Sequence, residues 1–174
     1  MKPFLILSFA FFVAACAGKP SLQDPPLTQT EFELQDFFNG KSVAYGQFQD
    51  VFGTVRSRFA VEIEGTWDGE TLTLIEDFVY EDGSTEQRIW TLTQTDEEAW
   101  TGTAPGVLGQ AVGQEDGDRF NWAYTIDLPL RGGDTMRVTF DDWMWQLTED
   151  RVLNKAYMSR FGVPLGEVTI IFEK

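Results

Sequence analysis

The sequence predicts an all-β fold: about ten antiparallel strands joined by short hairpins, behind one short N-terminal helix. Three observations predict it. Past Gly40 the apolar residues recur at every second position. Charged residues fill the intervening positions of the same runs. Clusters of Gly, Asp, Glu and Ser then break the pattern at spacings typical of hairpins.

The elements follow in order. Thr30-Glu31-Phe32-Glu33 has capping-box spacing, with Thr30 as the expected N-cap and Glu33 three positions on. Phe32, Leu34, Phe37 and Phe38 supply an apolar face, and Gly40 ends the run. The first strand is expected over Lys41–Phe52. Val55–Trp67 shows the alternation most clearly: Val55, Phe59, Val61, Ile63 and Trp67 share one face, and Arg56, Arg58, Glu62 and Glu64 the other. Asp68-Gly69 is a hairpin turn. Leu72–Tyr80 follows and closes at Glu81-Asp82-Gly83-Ser84. Further strands are expected over Thr85–Thr95, Ala99–Thr103, the glycine-rich Val107–Gln114, Arg119–Leu130, Thr135–Leu147, Arg151–Phe161 and Glu167–Glu173.

Strands with one apolar face must bury it, and closing the sheet does so while removing the edges. The expected architecture is an antiparallel lipocalin-like up-and-down barrel or half-barrel, with a two-sheet sandwich as the alternative. An outer-membrane barrel is not expected, because the faces that would meet lipid carry Arg56, Glu62, Glu64, Gln87 and Lys155.

The N-terminus sets location. Lys2 precedes an apolar run from Phe4 to Val13, too short to span a bilayer and right for a signal peptide. Small residues then stand directly before the single cysteine, in Val13-Ala14-Ala15-Cys16. This pattern resembles a bacterial lipobox, which implies cleavage before Cys16 and acylation of its thiol. Residues 1–15 are expected to be removed, 16–28 to form a lipidated flexible tether rich in Pro and Gly, and 29–174 to form one β-barrel domain. Ala17 in place of Asp implies, by analogy with lipoprotein sorting in enteric bacteria, an outer-membrane address facing the periplasm.

Composition excludes much. The chain has no histidine and a formal charge of −15. Without histidine or a free thiol, Ser-His-Asp, Cys-His and zinc chemistries are gone. Neither a metal site nor a cofactor is expected, and the acidic balance disfavours nucleic acid. No residue is assigned as catalytic.

The alternation nonetheless points polar groups inward. With the apolar faces inside, Glu76, Arg88, Asp142, Asn154 and Arg160 fall among aromatics. Buried charges need partners, so Glu76 and Asp142 are expected to meet Arg88 and Arg160. Phe78, Trp90, Phe120, Trp122, Tyr124 and Phe140 are expected to line the same interior. Trp143 and Trp145 fall on the opposite face, at a membrane or protein contact or beneath the N-terminal helix.

Several segments carry a family resemblance: Phe78-Val79-Tyr80-Glu81-Asp82-Gly83, Arg88-Ile89-Trp90, Phe140-Asp141-Asp142-Trp143-Met144-Trp145, Asn154 through Gly162, and Gly166-Glu167-Val168-Thr169-Ile170. With the lipobox they resemble a family of uncharacterised proteobacterial lipoproteins, DUF3833. The resemblance implies a lipoprotein and carries over no activity. Three functions stay open: a barrel binding a lipid-like or fatty-acid-like amphiphile, with Arg88 or Arg160 meeting a carboxylate; an envelope interaction protein with a filled core; and an enzyme using Glu76 or Asp142 as acid or base. The membrane is the expected partner, through the anchor.

Overall fold

The computed structural model describes residues 18–130 and 133–174. Helix α1 (Leu34–Phe38) leads into ten strands: β1 (Gly40–Asp50), β2 (Val55–Trp67), β3 (Thr71–Tyr80), β4 (Thr85–Gln94), β5 (Ala99–Thr103), β6 (Ala111–Asp116), β7 (Arg119–Pro129), β8 (Thr135–Thr148), β9 (Arg151–Arg160) and β10 (Val163–Glu173). Each pairs antiparallel with its neighbour in sequence, and β1 pairs with β10, so the sheet is a closed lipocalin-like barrel. Closure decides between barrel and half-barrel.

Alternation becomes wall and interior as expected. In β2, Val61, Ile63 and Gly65 are buried while Glu62 and Glu64 are exposed. At the following turn Gly69 takes φ +104°. The Asp68 Oδ1 accepts the Glu70 and Thr71 N–H groups there, as Asx-type turns do.

Three segments depart from expectation. The helix begins at Leu34, not after Thr30, and its N-cap Glu33 makes no side-chain cap. The cap comes instead from β6, where Glu115 Oε1 accepts the Leu34 N–H at 2.7 Å. A distant residue thus serves one of the orphan donors that a local capping box would have served. The glycine-rich strand starts only at Ala111, because Gly109 takes φ +72° and leaves the extended region. Before it, Val107 makes a single bridge to Ile126. The last strand starts early, at Val163, through an irregularity between Pro164 and Gly166.

The helix lies across one end of the barrel. Leu34, Phe37 and Phe38 are buried there, and Phe38 meets Phe172 edge-on at 5.3 Å. Phe32, just before the helix, stacks on Phe120 at 5.9 Å. Gly65 makes this seat possible: a Cβ there would stand 1.8 Å from the Phe38 carbonyl oxygen.

The described part of the expected tether is docked rather than free. Leu27 and Thr28 N–H groups donate to Asp118 Oδ2 at 2.7 and 2.8 Å. The Thr28 hydroxyl donates to the Gln146 carbonyl at 2.7 Å. Arg119 donates to the carbonyls of Ser21 and Asp24, and Lys19 pairs with Asp141 at 2.8 Å. Asp118 and Arg119 are both buried. This strap runs over the outward side of β7 and β8, where Trp143 is buried and Trp145 half-buried. Trp143 thus faces outward, as expected, but the strap rather than the helix covers it. Cys16 and the signal-peptide segment lie outside the described residues.

Candidate functional site

The barrel encloses a cavity of about 320 Å³. Leu34 and Phe38 of the helix form its floor, with Phe120 beside them. At the far end its wall is made by Tyr80, Glu86, Leu128 and Pro129, which stand at or near the ends of β3, β4 and β7. That end is the mouth. Towards it, β4 runs on beyond its pairing with β5, which covers only Thr91–Gln94.

Aromatics dominate the interior. Phe78, Trp90, Phe120, Trp122, Tyr124 and Phe140 all line the cavity. Trp90 meets Tyr124 edge-on at 5.1 Å, and Tyr124 stacks on Phe140 at 5.1 Å. The small residue Gly113 on β6 makes room for two of these rings, since a Cβ there would stand 2.5 Å from Trp122 and 2.6 Å from Phe120.

Four of the five polar residues expected inside are on the cavity wall: Glu76, Arg88, Asp142 and Asn154. Arg160 is not. It is exposed at the end of β9, with its guanidinium 5.3 Å from the Phe161 ring centre. The alternation does carry Arg160 to the inward parity, but the strand has by then run out of the barrel.

Pairing also differs from expectation. Glu76 and Arg88 are cross-strand neighbours in the β3–β4 register. Yet Arg88 donates to Glu86 Oε1 at 2.7 Å and lies 5.1 Å from the Phe78 ring centre. Tyr80 donates to the other Glu86 oxygen at 3.0 Å. Glu86, at the mouth, is the partner that sequence reasoning missed. Its position two residues before Arg88 on the same face was the available signal. On the opposite wall Asn154 donates to Asp142 Oδ1 at 3.3 Å. Asp142 Oδ2 and Asn154 Oδ1 are buried and have no hydrogen-bond partner among the described residues.

One arginine thus faces three carboxylates in an apolar chamber. Burial pushes Glu76 up to about 7, against the pull of Arg88 and with a further push from Glu86. Burial likewise pushes Asp142 up to about 7, opposed by the Asn154 hydrogen bond and helped by Asp141 and Glu76. Burial opposes the charge on Arg88, but Tyr124, Glu76 and Glu86 more than offset it and the group stays cationic. Burial raises Tyr124 well above the usual phenol range, with Asp142 adding to the shift. Around neutrality, then, Glu76 and Asp142 hold protons part of the time. They can donate as well as accept hydrogen bonds.

The comparisons place this architecture. No curated protein matches the chain in sequence. The fold is similar to that of the S-type phycobiliprotein lyase CPES from Guillardia theta, with TM-score 0.56 and 10% identity, covering 82% of this chain and 92% of that one. A redesigned β-barrel, mFAP1, bound to DFHBI, is similar at TM-score 0.41 and 9% identity, covering 79% and 95%. The family described as protein of unknown function (DUF3833) matches residues 10–174, and the chain belongs to that family.

Proposed function

We propose that this protein is a lipid-anchored, periplasm-facing lipoprotein of the outer membrane whose barrel holds an amphiphile with an uncharged hydrogen-bonding group. One observation carries the ligand reading. An aromatic cavity holds two buried oxygens, Asp142 Oδ2 and Asn154 Oδ1, that have no partner among the described residues. An unmet buried polar atom costs about 1–3 kcal/mol. A ligand hydroxyl would satisfy both, donating to Asn154 and accepting from protonated Asp142. The cavity of about 320 Å³ is at the small end for such sites.

Electrostatics revise the head group expected from the sequence. Arg160 is outside, and Arg88 is already held by Glu86 beside Glu76. A further carboxylate would add charge where carboxylates already outnumber the cation. A long-chain alcohol or monoacylglycerol therefore fits better than a fatty acid. The anchor reading rests on the lipobox pattern ending at Cys16.

The test is a titration followed by the fluorescence of the cavity tryptophans, Trp90 and Trp122. The alcohol-headed amphiphile should bind more tightly than the fatty acid of equal length. Asn154→Leu should weaken the alcohol by about tenfold, as loss of one buried hydrogen bond implies. No saturable signal with either amphiphile, from protein freed of co-purified lipid, would refute the reading.

A second reading has one observation behind it. Two cavity carboxylates near neutral pKa could act as acid and base on a bound ester. Turnover by the native chain that Glu76→Gln and Asp142→Asn abolish would establish it.

A further inference from the structure

The two ends of the barrel differ in chemistry. At the helix end the hairpin tips are acidic: Asp68-Gly69, Asp96-Glu97-Glu98, Gly117-Asp118 and Glu149-Asp150. At the mouth end the β3–β4 turn, Glu81-Asp82-Gly83-Ser84, is acidic as well, but two other tips carry exposed apolar side chains. Phe52 in the β1–β2 turn is 89% exposed and Phe161 in the β9–β10 turn is 83% exposed. Val51, Leu130 and Val163 stand exposed at the same end. The Arg160–Val163 turn adds a telling detail. Phe161 takes φ +50°, a region that favours Gly, Asn or Asp and disfavours a bulky ring. An aromatic is thus displayed in water at a position that suits it poorly. The exposed arginines Arg56, Arg58 and Arg160 also lie towards this end, Arg56 paired with Asp50 and Arg58 with Glu81.

The strap runs the same way. Thr28 is held at Gln146, near the acidic end, and Lys19 at Asp141, closer to the mouth. Followed towards its start, the chain therefore climbs towards the mouth. Cys16 is three residues before Lys19 in the sequence. An acyl group on Cys16 would enter the chain just ahead of this mouth-ward run of the strap.

From these we infer that the mouth end of the barrel docks on the lipid bilayer, with Phe52 and Phe161 inserted at the interface and the cavity opening towards the membrane. The apolar tips replace water contact with lipid, and Arg160 reaches the head groups. The end with the larger number of acidic tips points away from the membrane. Ligand would then pass between bilayer and cavity without crossing water. That last step rests on the ligand and anchor readings proposed above; the docking surface itself does not depend on a ligand.

The experiment uses the acylated chain reconstituted in phosphatidylethanolamine–phosphatidylcholine vesicles. Acylation leaves no native thiol, so Phe52→Cys and Glu97→Cys each carry a single environment-sensitive label. Both sites are exposed turn positions, and folding should be unaffected. The label at 52 should be quenched by spin-labelled lipid several-fold more than the label at 97. Equal quenching, stronger quenching at 97, or two labels in water would overturn the proposal; the last result is the one a protein occupant would give. A companion measurement separates the readings. Phe52→Glu with Phe161→Gly should slow transfer of amphiphile from vesicles about tenfold while leaving its affinity in solution unchanged. Unchanged transfer would count against docking even where binding is intact. Absent binding with position 52 buried in lipid would leave docking standing and sink the ligand reading.

Discussion

Replacing Glu76 by Gln should change how stability depends on pH. Glu76 is pushed to about 7 by burial in the barrel, against 4.5 for the free side chain. Between those values the folded state holds a proton that the unfolded chain has released. Stability contributed by this proton is present at mildly acid pH and is lost as pH rises through 7. Two states with these pKa values differ by about 2.5 kcal/mol in stability between pH 5 and pH 8. Glutamine keeps the shape and cannot ionise, so the variant should lack that decline. The measurement is denaturant unfolding followed by tryptophan fluorescence at pH 5, 6, 7 and 8. The native chain should weaken towards pH 8, and Glu76→Gln should narrow the fall by about 2 kcal/mol. Asp142 and Glu115 are also pushed to about 7 and act in the same direction. Below the ordinary aspartate range the trend reverses. Asp50, Asp68, Asp127 and Asp150 are held low by hydrogen bonds, and their stabilisation disappears on acidification. Parallel curves for the native chain and Glu76→Gln would refute the claim that this carboxylate is enclosed at a cost.

Other substitutions probe the seat and the strap. Gly65→Ala puts a methyl where the Phe38 carbonyl stands, so the helix must shift; unfolding should show a loss of about 1–3 kcal/mol, and a loss under about 0.5 would contradict the close approach. Glu115→Leu strips the Leu34 N–H of its acceptor and should cost about 1–2 kcal/mol, read by the same unfolding curves. Asp118→Ala removes the acceptor of two strap amides. Exchange of the Leu27 and Thr28 amides should quicken, by on the order of 2 kcal/mol of protection, and Trp143 emission should move to the red. Unaltered exchange would mean the strap is held by something else.

The barrel was legible because its rule is local. Alternation of Val61 and Ile63 with Glu62 and Glu64 marks two faces, and tight turns such as Asp68-Gly69 fold neighbours together. Parity alone sent Glu76, Arg88, Asp142 and Asn154 to the interior. It failed at Arg160, since parity does not say where the barrel ends. It placed Trp143 outward, as found, but could not show that the strap covers that face, because its holders, Asp118 and Arg119, are about ninety residues away from it in sequence. The helix start was misjudged because Thr30 offers a cap that Glu115 provides instead.

By itself, then, the sequence determined the succession of one helix and ten strands, the inward set Glu76, Arg88, Asp142 and Asn154, the acidic and histidine-free chemistry, and the pattern that ends at Cys16. Tertiary structure alone decided closure of β1 on β10, the pairing of Arg88 with Glu86, the two unmet oxygens on Asp142 and Asn154, and the apolar mouth. The physical reason is range. Side-chain parity and turn preference act over a few residues, whereas burial, hydrogen-bond satisfaction and the field around a carboxylate depend on which distant segments come together.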